Sequence, residues 1–155
     1  MKEGEQVAVK VIAENRKARF DYELIDSFEA GLVLLGWEVK SLRDGGINLR
    51  DSYIREQNGE LFLVGCHIAP YKFGRRDEMV ETRDRKLLLT KKEIGRLIQA
   101  ITQKGLSMIP TKIYFKGARI KLAFATGRGK KLYDKREDIK KRDSQRAIAR
   151  SLSGD

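Results

Sequence analysis

The sequence predicts a mainly β fold with helices, an antiparallel barrel closed around one core and followed by a basic tail. Three observations predict it: two hairpins whose strands carry apolar residues, one amphipathic helix between them, and a loss of apolar residues after position 126. A chain of 155 residues, 41% of them hydrophobic, can supply one such core. The reading therefore divides it into a body, residues 1–126, and a tail, residues 127–155.

Residues 1–19 read as an arm, with a short apolar patch at 7–13 and then the basic run Asn15-Arg16-Lys17-Ala18-Arg19. Residues 20–35 read as a long strand that Gly31 allows to turn a corner. Residues 37–42 suit one or two helical turns, ended by Asp44-Gly45-Gly46. The clearest hairpin joins 52–56 to 60–65 through Gln57-Asn58-Gly59, because Asn-Gly readily takes the positive φ angles of a tight turn. Residues 70–86 form an irregular, charge-dense stretch, and Leu87-Leu88-Leu89 fits either a short strand or the entry to a helix. Thr90 then caps a helix from Lys91 to about Lys104, with Glu93 completing a capping box and Ile94, Leu97, Ile98 and Ile101 on one face, until Gly105 stops it. A second hairpin joins 108–115 to 119–125 through Lys116-Gly117-Ala118. Five or six antiparallel strands with a helix between the hairpins suit a closed barrel of the OB type; a ubiquitin-like or split α+β sheet is the alternative.

The formal charge of +11 makes a polyanion the first partner to test. The single cysteine, Cys66, rules out an internal disulfide and a thiol pair for a metal, which fits a reducing cytoplasm. The longest apolar run, 32–35, is far too short to cross a bilayer, and the amino terminus has no apolar signal region, so neither membrane nor secretion is expected.

Catalysis needs a nucleophile with a base, paired carboxylates or metal ligands. The only histidine, His67, adjoins Cys66 where a strand ends, and both read as ordinary structural residues. The run Gly127-Arg128-Gly129-Lys130-Lys131 lacks the spacing and hydroxyl of a phosphate loop. No catalytic residue, metal or cofactor is expected. RNA contact is better supported. Lys72, Arg75, Arg76, Arg83, Arg85 and Lys86 lie among Tyr71 and Phe73, which mixes phosphate-seeking cations with rings able to stack on unpaired bases, and the run at 16–19 repeats the theme before Phe20.

The tail holds ten Lys or Arg against five Asp or Glu, with apolar residues too sparse to dock on the body, so it is expected to be disordered when free. On a helix of 100 degrees per residue, Lys131, Lys135, Arg142, Arg146 and Arg150 fall within about 100 degrees of one another. A polyanionic surface is therefore expected to draw the tail into a helix.

Six collinear blocks resemble the SmpB family, the tmRNA-binding proteins of bacterial trans-translation. They are residues 15–19, Phe28-Glu29-Ala30-Gly31, Gly36-Trp37-Glu38-Val39-Lys40-Ser41-Leu42-Arg43, Asn48 with Asp51-Ser52-Tyr53, residues 83–89, and Gly129-Lys130-Lys131-Leu132-Tyr133-Asp134-Lys135-Arg136. The resemblance implies an OB-type barrel that grips the tRNA-like domain of tmRNA and delivers it to stalled ribosomes, with a tail that enters the decoding centre and empty mRNA channel of the small subunit. It implies an RNA surface of Arg16, Lys17, Arg19, Phe20, Glu29, Arg83, Arg85, Lys86, Leu88 and Thr90. In the tail it implies ribosome contacts by Gly129, Lys130, Lys131, Tyr133, Asp134, Lys135, Arg136, Arg142, Arg146, Arg150 and Leu152. It implies a monomer, and the elongation factor that delivers charged tmRNA is a further partner it raises. The chain departs from the pattern at Thr90, where Asn or His is expected, and at Ser151-Leu152, where a more apolar pair is common. A general single-strand-binding module or ribosomal protein, and more remotely a nuclease or RNA-modifying enzyme, are the competing readings.

Overall fold

The structure, a computed structural model, describes residues 8–130. They form a mainly β body with three α-helices and one short 3-10 helix (Arg76–Glu78): β1 (Val9–Glu14), α1 (Lys17–Asp21), β2 (Tyr22–Leu32), α2 (Gly36–Arg43), β3 (Ile47–Asn48), β4 (Tyr53–Gln57), β5 (Glu60–Val64), β6 (His67–Ile68), β7 (Arg85–Leu88), α3 (Lys91–Lys104), β8 (Ser107–Lys116) and β9 (Arg119–Gly129). All pairings are antiparallel. They run β8 to β4, β5, β7, β2 and β9, and β9 pairs again with β8, so the circuit of strands returns to its start.

Inward residues of this circuit make one core. Ala30, Leu61, Leu63, Leu87, Ile113, Leu122 and Phe124 are all buried, and the Phe28 ring stacks on Phe124 at 5.5 Å between centroids. The turn at Asn58 and Gly59 takes φ of 53° and 79°, as the Asn-Gly pair requires. Helix α3 has the expected bounds and packs Ile94 and Leu97 inward, and Gly105 ends it at φ 65°. Leu87 and Leu88 belong to a strand, β7, which settles the choice the sequence left open.

Two expectations are corrected. Residues 9–14 are not an arm but a strand paired to β8, because Val9, Val11 and Ala13 find backbone partners there; the basic run that follows opens α1. The irregularity in β2 falls between Leu24 and Asp26, not at Gly31. Gly31 instead lies opposite Leu88, whose side chain would sit 3.4 Å from a β-carbon at that position. Strand β9 continues to Gly129, three residues beyond the compositional break, and pairs there with Tyr22 to Leu24.

Thr90 does a helix-capping job that accounts for its presence. Its hydroxyl accepts from the Glu93 amide at 3.2 Å, while the Glu93 carboxylate accepts from the Thr90 amide at 3.1 Å. Thr90→Ala is expected to cost about 1 kcal/mol in urea denaturation, whereas Thr90→Asn, which can also cap, should stay within a few tenths, about 0.3 kcal/mol.

Candidate nucleic-acid interface

Because side chains alternate along a strand, the residues flanking the buried set on β8, β9 and β2 face outward together. Register places Lys112 opposite Ala123, Tyr114 opposite Lys121 and Lys116 opposite Arg119, while Ala123 also faces Glu29 and Lys121 faces Gly31. Gly31 carries the row on to Leu88 of β7, and Lys86 lies on the same outward side of that strand. Strand β1 extends the other border with Val11 beside Tyr114 and Val9 beside Lys116. The result is an outer surface of lysines with apolar patches between them.

Glu29 sits in the middle of it. The Tyr114 hydroxyl donates to Oε2, and the Lys116 ammonium lies 3.1 Å from Oε1 and 3.4 Å from Oε2. The Tyr114 hydrogen bond first, opposed by burial and helped by Lys116 and Lys121, holds the Glu29 carboxyl below its ordinary value. Burial first and the Glu29 carboxylate second push Tyr114 the other way, so its hydroxyl stays a donor. Lys112 lies over the Tyr114 ring, 5.4 Å from its centroid. Glu29 is therefore a fixed, ionised acceptor among the lysines of this face.

At the edge of this surface α1 presents Arg16 and Arg19, both exposed, over a cleft that also meets Lys112 and Ser27. Lys17 is turned aside toward Asp21 and Asp51, at 3.9 and 3.7 Å. Phe20 is half exposed on the same short helix. Lys86 lies 3.7 Å from Glu60 at the surface, and Leu88 is 54% exposed beside Gly31.

Arg85 needs correction as an RNA contact, because it is 0% exposed. Its Nε donates to Glu38 Oε2 at 2.7 Å, Nη1 to the Cys66 carbonyl at 2.6 Å and Nη2 to the Glu81 carbonyl at 3.0 Å. Arg83 shares the same carboxylate, with Nη2 at 2.5 Å from Glu38 Oε1 and 3.2 Å from the Val33 carbonyl. The two cations share one carboxylate that joins α2 to β7, with Arg85 wholly inside and Arg83 half-buried at the edge. The alternation along β7 decides this, since Arg85 and Leu87 point inward while Lys86 and Leu88 point out.

Sequence reasoning missed Lys112, Tyr114, Lys116 and Lys121. Their signal was the alternating pattern Lys112, Tyr114, Lys116, which was read only as a strand. Burial pushes the Cys66 thiol up to about 11, and His67 pairs with Glu81 at the surface. Of the tail positions, Gly129 lies in β9 and Lys130 donates its amide to the Asp21 carbonyl at 2.9 Å. Lys131, Tyr133, Asp134, Lys135, Arg136, Arg142, Arg146, Arg150 and Leu152 lie outside the described residues. No helix among the described residues is long and apolar enough to cross a membrane.

A family model described as SmpB protein matches residues 12–154 of the chain. The chain belongs to the SmpB family. SmpB-family relatives cover nearly all of it. An SsrA-binding protein of Microcystis aeruginosa is 50% identical over 148 residues, 93% of this chain and 94% of that protein. Those of Desulforudis audaxviator and Nitratidesulfovibrio vulgaris (strain Hildenborough) are 52% and 54% identical, over 94% and 90% of this chain and 95% and 94% of theirs. A solved SmpB structure, reported under the heading "tmRNA-SmpB: a journey to the center of the bacterial ribosome", superposes with a TM-score of 0.66. It is 44% identical and covers 82% of this chain and 93% of its own.

Tyr114→Phe should raise the Glu29 pKa toward its ordinary value of 4.5, because the largest effect lowering it is removed. A carboxyl-carbon NMR titration reads this directly, and an unmoved Glu29 would show that Tyr114 does not fix it.

Proposed function

We propose that this chain binds the tRNA-like domain of tmRNA and delivers it to stalled ribosomes for trans-translation. The observation that carries the reading is SmpB membership over nearly the whole chain, next to relatives named for binding SsrA and a structure that places tmRNA-SmpB at the ribosome. In this reading the body is an OB-type barrel, which the closed circuit of strand pairings supports. Its RNA surface is the outer face of β8, β9 and β2 with α1, where Arg16, Arg19, Lys86 and Lys112 supply phosphate contacts. Glu29 takes a hydrogen-bond donor of the RNA rather than a phosphate, since a carboxylate repels phosphate. Leu88 offers apolar contact, and Thr90 holds the start of α3.

The body, whose last strand runs to Gly129, and the basic tail that follows it then divide the work. The tail reaches the decoding centre through Lys131, Tyr133, Asp134, Lys135 and Arg136. It follows the mRNA channel through Arg142, Arg146, Arg150 and Leu152. The protein acts by binding in the cytoplasm as a monomer and catalyses nothing, and charged tmRNA reaches it with an elongation factor.

The test is a titration of the full chain and of residues 1–130, which retain all of β9, against the tRNA-like domain and an unstructured RNA of equal length. Both proteins should prefer the folded domain, with a log–log salt slope of about 0.7–0.9 per phosphate contacted. Only the full chain should rescue stalled ribosomes. Equal affinity for the unstructured RNA would favour a general single-strand binder, and loss of binding on truncation would contradict the division of labour.

A further inference from the structure

The cleft beside α1 has the size and chemistry of a small-ligand site. Its volume is about 560 Å³, within the range of about 300–1,000 Å³ typical of such sites. Its walls are fixed by their own hydrogen bonds. The Asn15 amide donates to the Thr111 carbonyl at 2.7 Å and its side chain to the Pro110 carbonyl at 2.9 Å, while the Thr111 hydroxyl donates to the Ala123 carbonyl at 3.0 Å. The groups that remain have charge to offer, Lys112 while lying over the Tyr114 ring. Among the described residues, Arg16, Arg19 and Lys112 make no ion pair, and neither does Glu14, although Glu14 lies opposite Lys112 in the strand register. The Ser27 hydroxyl makes no hydrogen bond there either. Leu24 and Ala123 give the cleft an apolar side.

Three cations alone would suit any polyanion. An unpaired carboxylate and a free hydroxyl in the same cleft suit a ligand that brings both an anion and hydrogen-bond donors. A nucleotide does so, with its phosphate, its ribose hydroxyl and the N–H groups of its base.

We propose that this cleft receives one unstacked nucleotide of the bound RNA, its phosphate on Arg16, Arg19 and Lys112 and its base or ribose donors on Glu14 and Ser27. The inference rests on the RNA-binding function above and adds to it a point of contact with a single residue of the RNA. Glu14 separates it from simple charge attraction. If the cleft only attracts phosphate, Glu14 repels the ligand, and Glu14→Gln tightens binding or leaves it unchanged. If Glu14 accepts donors from a seated nucleotide, the same change weakens binding.

The experiment places 2-aminopurine, one position at a time, at the unpaired nucleotides of the tRNA-like domain and titrates the full-length protein. One position should change its fluorescence on binding. Glu14→Gln, which keeps one accepting oxygen but gives up the charge and the second oxygen, should lower affinity about tenfold and shrink that signal. Arg19→Ala should abolish the signal while the far-ultraviolet circular dichroism stays that of the parent chain. A domain that binds with no responsive position, or a Glu14→Gln protein that binds as tightly as the parent, overturns the cleft and leaves the function standing. Failure of the parent to bind the domain at all overturns both.

Discussion

The body depends on one buried carboxylate. Glu38, 0% exposed on α2, receives Arg85 from β7 on one oxygen and Arg83 on the other. It also caps its own helix, accepting from the Leu35 amide at 2.7 Å. Burial pushes this carboxyl up, but the donors from Arg83, Leu35 and Arg85 outweigh it and hold Glu38 below its ordinary value. The group therefore stabilises the fold fully above its unfolded value near 4.5 and loses that contribution as the pH falls through its folded value. Removing one partner of such a buried pair costs about 3–5 kcal/mol, because the other charge stays buried and unmatched.

From this cluster the outer sheet face takes its position. Arg85 ties the Cys66 and Glu81 carbonyls to β7, so the strand that carries Lys86 and Leu88 is anchored to α2, to the chain before the irregular stretch and to a residue within it. Strand β7 in turn lies against β2, which carries Glu29, and β2 lies against β9. The acid within the basic surface follows the same logic on a smaller scale. Tyr114 and Lys116 spend donors on Glu29, so it stays in one place and ionised, and a single acceptor among lysines can select where pure positive charge can only attract.

Where sequence signals were local, they were legible. The Asn-Gly turn, the Thr90 and Glu93 capping box with Gly105, and the two hairpins all appear where patterning puts them, because each is decided by residues a few positions apart. Long-range pairing was not legible. Nothing local shows that residues 9–14 join β8, or that Arg85 points inward to a glutamate 47 positions away. A cation in a basic run reads as exposed until a buried partner is known. The lysines of β8 and β9 were passed over for the opposite reason, since a strand's outward residues become a surface only when register aligns them with their neighbours.

The claim that the outer sheet face, and not helix α3 with its Lys91, Lys92 and Lys104, holds the RNA can be tested by lysine footprinting. The full chain is reductively methylated with and without the tRNA-like domain, and modification at each lysine is read by mass spectrometry. The account predicts protection of Lys112, Lys116 and Lys121 with Lys91, Lys92 and Lys104 still reactive. Protection of the three helix lysines with the sheet lysines unchanged would contradict it.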